Sequence, residues 1–318
     1  MKGKIFGISL LSVLVCNTCF ADVLDLTTAL QNTYRACVNI DENLHELKVL
    51  AGVNTGVTAV GTGLGIGATA TGLAKASVDA NIEKLLDTMW DISAQYEGQL
   101  PTENQKEEFV QNFQRKLQNK KWGSLQETDQ DLISEIQRLE EKSKKLGNWR
   151  TGLLAGNTVT NVAGAIISSK TINKDDINGQ IDTCIAATKE LNNAINAARM
   201  NGEDVTEAKQ IYNACRDYAY VDMSPIDKRG KGAMISSSIG AGLGGIGTIT
   251  SGVANSDKIR NDDTESGKQK EKDLNTTSNI LAAGATVASA TATVFNATQI
   301  AAIKKVAEVS QKCTEVLK

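Results

Sequence analysis

The sequence predicts an all-α protein: internally duplicated, long antiparallel helical hairpins with glycine-zipper arms, assembled into an elongated helix bundle. Three observations carry this reading. Only 2 of 318 residues are proline, and proline breaks helices by removing a donor and clashing with the preceding turn. Four long runs, 49–74, 151–169, 232–256 and 274–303, carry no charged residue and are rich in Gly, Ala, Ser and Thr. The order of features in the first half of the chain then recurs in the second.

Composition narrows the classes further. Aromatic residues make up 4 % of the chain, so the core must be built from Ala, Val, Ile, Leu and Gly, and helices must approach closely to exclude water. The net charge is −3, and without residues 1–21, which hold Lys2 and Lys4, it is −3 − 2 = −5. The signs are mixed along the chain, without the clustered basic patch a nucleic-acid surface needs.

Lys2 and Lys4, the apolar run Ile5 to Val15 and the small-residue site Cys19-Phe20-Ala21 read as a bacterial secretory signal over 1–21, with maturation at Asp22. Val15 and Thr18 fit poorly before a lipidated cysteine. The expected destination is the periplasm, outer surface or medium. Four cysteines then remain, Cys37, Cys184, Cys215 and Cys313. An even number in an oxidising compartment implies two disulfides.

The helical elements follow in order. Leu24 to Leu50 has helical periodicity through Leu26, Leu30, Tyr34, Cys37, Leu44 and Leu47. The run 49–74 continues it. Within that run Gly52/Gly56, Gly61/Gly65 and Gly63/Gly67 are four apart, so each pair shares a helix face where another backbone can come close. Ala76 to Tyr96 is amphipathic through Ile82, Leu85, Leu86, Met89 and Ile92. Pro101 marks a break, Thr102 caps a helix through Phe109, Phe113 and Leu117, and Thr128 to Leu146 forms another. The block 75–148 therefore reads as a solvated helical insert. The run 151–169, with Gly152/Gly156, precedes a helix near Ile177 to Ala198; Asn201-Gly202 is a turn, and Asp204 caps a helix holding Tyr212 and Cys215.

From there the pattern repeats. Thr33-Tyr34-Arg35-Ala36-Cys37 matches Ile211-Tyr212-Asn213-Ala214-Cys215, and a glycine-rich run begins roughly fifteen residues after each. The second such run holds Gly240 and Gly244. Leu153-Leu154-Ala155-Gly156 resembles Leu281-Ala282-Ala283-Gly284, and Gly156 and Gly284 lie 28 and 29 residues before Cys184 and Cys313. The unit is thus cysteine helix, glycine helix, charged tip, Ala/Thr helix, cysteine helix. The division expected is a signal at 1–21, a first hairpin unit at 22–200 with the insert 75–148, and a second at 201–318. Cys37 to Val49 is 12 residues and Ser169 to Cys184 is 15. At 1.5 Å per residue these heights differ by about 4–5 Å, which favours pairing within each copy, Cys37–Cys184 and Cys215–Cys313. The Asn201-Gly202 turn leaves Cys184–Cys215 with Cys37–Cys313 open.

No catalytic set emerges. His45 is the only histidine and sits among Glu42, Glu46 and Lys48. Gly61-x-Gly63-x-Gly65-x-Gly67 lacks the Gly-Lys-Ser/Thr of a P-loop and the preceding strand of a dinucleotide fold. Glu107/Glu108, Asp129/Asp131 and Glu140/Glu141 lie in charge-rich helices. The spacing of Cys and His offers no zinc site. No cofactor, metal or small-molecule substrate is expected.

Membrane and water remain the main alternatives. The four runs count 26, 19, 25 and 30 residues, long enough for spans of ~20 residues. Their small and polar content, including Asn157, Asn161, Asn275, Asn279, Asn296 and Gln299, is atypical of lipid-facing helices. The reading is an exported, non-enzymatic structural or interaction protein of the bacterial envelope or exterior. Its packing glycines are Gly52, Gly56, Gly61, Gly63, Gly65, Gly67, Gly156, Gly240, Gly244 and Gly284, and its expected partners are itself or a membrane. The alternative is a membrane-inserting or pore-forming glycine-zipper protein.

Overall fold

The computed structural model describes residues 25–97, 127–172, 175–262 and 264–318. Helix makes up 93 % of it, with no strand among the described residues. The helices are α1 (Leu26–Cys37), α2 (Ile40–Glu97), α3 (Glu127–Ile172), α4 (Asp175–Met200), α5 (Thr206–Cys215), α6 (Ser224–Ala254), the single turn α7 (Asp257–Arg260) and α8 (Glu265–Leu317). A 3₁₀ turn, Arg216–Tyr220, joins α5 to α6.

Two elements differ from the expected boundaries. A turn at Val38-Asn39 separates α1 from α2, where a β-branched residue and an asparagine, both modest helix formers, follow Cys37. The segments 128–146 and 151–169 form one continuous helix, α3. A lone Gly147 costs only ~1 kcal/mol in a helix, and here it packs against the Asn255 side chain. The expected helix through Phe109, Phe113 and Leu117 lies outside the described residues.

Local chemistry sets the remaining ends. Gly202, at φ 79°, makes the turn after α4, a conformation that favours glycine. Asp204 Oδ1 accepts the Thr206 hydroxyl at 2.7 Å and the Thr206 N–H at 3.0 Å at the start of α5. These bonds, the hydroxyl's first, hold the Asp204 carboxyl below its ordinary pKa. Pro225 falls in the first turn of α6, where its missing N–H costs nothing. Thr264 Oγ1 accepts the Gly267 N–H at 3.0 Å and caps α8.

The described residues form two compact units, one drawn from 25–51, 170–172, 175–228 and 298–318, the other from 52–97, 127–169, 229–262 and 264–297. These units cut across the chain-order division at residue 200, since each draws segments from both halves.

The first unit has a conventional apolar core. Leu44, Leu47, Leu191, Ile195, Ile226, Ile303 and Tyr218 are buried together. Thr33 Oγ1 donates to the Ala187 carbonyl at 3.3 Å, tying α1 to α4. Both disulfides lie in this core, Cys37–Cys184 and Cys215–Cys313. Burial and nearby Asp41 push the Tyr218 phenol up to about 12, with Ser310 beside it acting the other way.

The second unit contains parts of α2, α3, α6 and α8. Paired contacts run in opposite directions along neighbouring helices. On α2 and α3, Asn54 meets Ser168, Gly61 meets Asn157 and Gly72 meets Arg150. On α3 and α6, Gly164 meets Ser237, Gly240 meets Asn161 and Thr151 meets Ser251. Gly232 meets Phe295 and Gly247 meets Leu281 on α6 and α8, and Asn54 meets Asn296 while Lys75 meets Glu271 on α2 and α8. The result is an up-down-up-down four-helix bundle.

Candidate functional site

The second unit is unusual in what it hides. Along one stripe of each of its four helices, buried residues recur at alternating steps of three and four. They are Asn54, Thr58, Gly61, Gly65, Ala68, Gly72 and Lys75 on α2; Arg150, Leu154, Asn157, Asn161, Gly164 and Ser168 on α3; Ala233, Ser237, Gly240, Gly244, Gly247 and Ser251 on α6; and Ser278, Ala282, Ala285, Ser289, Ala292 and Asn296 on α8. This is heptad spacing, which keeps one seam of each helix facing its partners. Apart from Leu154, the seam is occupied by small and polar side chains and by Lys75 and Arg150.

Hydrogen bonds across the bundle satisfy most of the polar layers and offset the cost of burying them, while Asn54 Oδ1 and Ser237 Oγ are buried without a partner. Asn54 Nδ2 donates to Ser168 Oγ at 2.7 Å and Asn296 Oδ1 at 3.0 Å. Asn157 Nδ2 donates to the Gly61 carbonyl at 2.6 Å. Asn161 Nδ2 donates to Asn157 Oδ1 at 2.7 Å and Ser289 Oγ at 2.8 Å. One apolar layer of Ala68, Leu154 and Ala282 interrupts them, with Leu153 packed alongside.

Charge is buried at one end of these seams. Lys75, 1 % exposed, bridges Asp79 at 2.7 Å and Glu271 at 3.3 Å. Ser143 Oγ donates to the other oxygen of Asp79 at 2.5 Å. Arg150 is fully buried, and its guanidinium donates to Ser251 Oγ at 2.9 Å, Asn279 Oδ1 at 3.0 Å and Asn275 Oδ1 at 2.7 Å. Three oxygens around one planar fork answer its donors and hold it in place.

Outward positions carry the large aliphatics. Val53, Val60, Ile66 and Leu73 on α2, Val159, Val162 and Ile166 on α3, Ile235, Ile239, Ile246, Ile249 and Val253 on α6, and Ile280, Val287 and Val294 on α8 are 43–69 % exposed. A polar seam inside and aliphatic side chains outside invert the ordinary arrangement of a water-soluble bundle.

The chain matches no family model, no curated protein and no solved structure.

The sequence-selected glycines divide into two groups. A Cβ on Gly61 would lie 2.6 Å from Thr160 Oγ1, on Gly65 2.7 Å from Asn157 Nδ2 and 3.1 Å from Thr286 Cα, and on Gly67 3.3 Å from Leu153 Cδ1. Gly156 faces Leu64 at 3.1 Å, Gly240 faces Asn161 at 2.7 Å, Gly244 faces Thr158 at 2.7 Å and Gly284 faces Leu243 at 3.0 Å. Around Gly52, Gly56 and Gly63 nothing lies within 4 Å. These three depart from the expected role within the fold, because their stripe of α2 points away from the seam. Sequence reasoning also missed Gly72, Gly164, Gly232 and Gly247, which approach Asn279, Thr58, Phe295 and Leu281 respectively. It missed the buried Lys75 and Arg150 as well. The signal that finds them is the three-four recurrence of small or polar residues through each charge-free run.

In the other unit, the sulfurs of Cys37, Cys184 and Cys313 lie within 4.8 Å of one another. All three are committed to disulfides, so they offer no thiolate to a metal.

Proposed function

We propose that this is an exported, non-enzymatic protein whose polar-seamed four-helix unit packs through its small residues and inserts into a lipid bilayer. The observation that carries this reading is the inverted burial of the stretch from Asn54 to Lys75 and the segments of α3, α6 and α8 packed on it, with mainly Asn, Ser, Thr, Gly and Ala inside and Val, Ile and Leu outside. Elsewhere on α2 and α3, Leu86, Met89, Ile133 and Ile136 form an ordinary apolar cluster. Lipid removes the penalty for exposing aliphatics, and it favours polar side chains that find partners between helices.

Dimensions support it. Val53 to Leu73 covers 20 residue steps, about 30 Å at 1.5 Å per residue, close to the ~30 Å hydrocarbon core of a bilayer. Three of the helices are long and apolar enough to cross a membrane. Each charge-free run also ends on a lysine on the side nearer its cysteine in the chain: Lys48, Lys170, Lys231 and Lys304. Lysines at the ends of spans suit the headgroup region.

The duplication belongs to the same proposal. Each copy contributes two antiparallel helices to the bundle and one disulfide, and the repeated order of cysteine helix, glycine helix and Ala/Thr helix supports a common origin for the two copies. Signal and disulfides together suit an exported protein.

A second reading, a water-soluble structural or interaction module built on the same helix packing, draws on one observation: the helix Glu127–Ile172 is not among the three apolar enough to span. Flotation separates the two. The mature protein is mixed with liposomes, centrifuged through a density gradient and washed with carbonate. Insertion places it in the lipid fraction after the wash; recovery from the aqueous fraction favours the soluble module.

A further inference from the structure

The sulfurs of the two disulfides meet in one cluster. The Cys313 Sγ, bonded to Cys215, lies within 4.8 Å of both Cys37 Sγ and Cys184 Sγ, which are bonded to each other. All four residues are 0 % exposed. They come from α1, α4, α5 and α8 and meet in the apolar core of the first unit. Two sulfurs this near need only an ångström-scale approach before one, as a thiolate, reaches the other's disulfide.

We propose that these four sulfurs form an intramolecular disulfide-exchange centre with Cys313 as its hub. A thiolate at Cys37 attacks Cys313 Sγ. The Cys37–Cys313 bond forms, the Cys215–Cys313 bond breaks, and Cys215 leaves as a thiolate that takes up a proton. A thiolate at Cys184 attacks the same sulfur in the same way. Each exchange conserves one disulfide and one thiol, so no outside oxidant or reductant takes part once a single thiol is present. That condition arises during oxidation of the nascent chain, when one disulfide has formed and the other two cysteines are still thiols. The centre lets a bridge formed in the wrong order be corrected inside the folded unit. It also explains why the sequence leaves the Cys37–Cys313 pairing open: the geometry brings those two sulfurs together as well.

Burial makes the exchange selective. Water-soluble thiols are kept from a fully buried cluster, so the partners available to a freed thiolate are its neighbours in the core. The mutually close set is Cys37, Cys184 and Cys313, and Cys215 stands outside it, which makes Cys313 the sulfur of its bridge that an attacking thiolate reaches.

The test uses the mature protein carrying Cys184→Ser, which leaves Cys37 without its partner. The folded variant is held at pH 8, quenched by acid, alkylated, and mapped by non-reducing peptide mass spectrometry. The expected result is a Cys37–Cys313 bridge with alkylated Cys215 in about one tenth of molecules or more, and Cys37–Cys215 at least about tenfold rarer. Helix content by circular dichroism confirms that the variant is folded. Cys215→Ser provides the second arm: Cys313, freed, should appear bridged to Cys37 or Cys184. If each folded variant holds only its surviving original bridge, the proposal is overturned. Equal amounts of Cys37–Cys313 and Cys37–Cys215 would also overturn it, since they report a statistical, unfolded exchange.

Discussion

Replacing Ile66 and Ile246 by lysine separates a bundle that lives in lipid from one that lives in water. Both side chains point outward, at 57 % and 56 % exposure. Ile66 lies 7 residues from Leu73 and 13 from Val53, and Ile246 lies 7 from Val253 and 11 from Ile235. Each is therefore at least about 10 Å from either end of its aliphatic stretch at 1.5 Å per residue. In water such substitutions change stability by roughly ±0.5 kcal/mol each, because no neighbour is lost and a charge is welcome. In a bilayer a lysine at depth costs about 2.5–3.5 kcal/mol, reduced when its stem reaches toward the headgroups. Taking about 2 kcal/mol for each after that relief, the pair costs about 4 kcal/mol, close to a thousandfold in partitioning. The assay is liposome flotation of Ile66→Lys/Ile246→Lys beside the unaltered protein, with thermal melts of both in the absence of lipid. Insertion predicts unchanged melting and a protein that stays in the aqueous fraction. A double variant that floats like its parent would refute the membrane reading.

Four further outcomes follow from the packing. Gly65→Ala should destabilise by about 1–3 kcal/mol because its Cβ meets the Thr286 backbone at 3.1 Å, while Gly63→Ala, with nothing within 4 Å, should stabilise by about 0.5–1 kcal/mol through helix propensity; paired thermal melts read both signs. Leu154→Ala empties the apolar layer within the polar seam, where Ala68 and Ala282 are the buried neighbours, and should cost about 2–5 kcal/mol by denaturant unfolding. Removal of the Cys215–Cys313 bridge, which joins residues 98 apart, should lower stability by about 2–5 kcal/mol, measured by thermal melts of Cys215→Ser/Cys313→Ser beside the unaltered protein. Tyr218 titrates at about 12 when folded and near 10 when unfolded. Between those values the folded state holds the extra proton, so its stability is complete below pH 10 and falls as pH rises toward 12. Tyr218→Phe should flatten that part of the alkaline melting profile.

Much of this architecture was legible in the residues. Scarce proline and four charge-free runs give long helices, and heights counted from the cysteines favour the two bridges found, Cys37–Cys184 and Cys215–Cys313. The asparagines were the least readable feature. Asn157, Asn161 and Asn296 count against lipid contact when read along the chain, yet all three are fully buried between helices. Periodicity alone could not say so, because a seam of Asn, Ser and Gly and a flank of Val and Ile have the same spacing whichever side faces inward.

By itself, then, the sequence determined that the chain is helical and the chemistry available to each face, since those depend on local backbone preference and on the order of residue types. The end of α1 and the fusion of 127–172 into one helix lay beyond it. Only the tertiary structure decided which face is inside. Gly61 and Gly65 meet neighbouring helices while Gly63, two residues from each, meets nothing. A glycine's role is set by what stands opposite it, and that partner lies about a hundred or more residues away on another helix, such as Asn157 or Thr286. The same is true of Arg150, whose three acceptors come from α6 and α8: its burial is stable only because distant segments deliver oxygen atoms to one place.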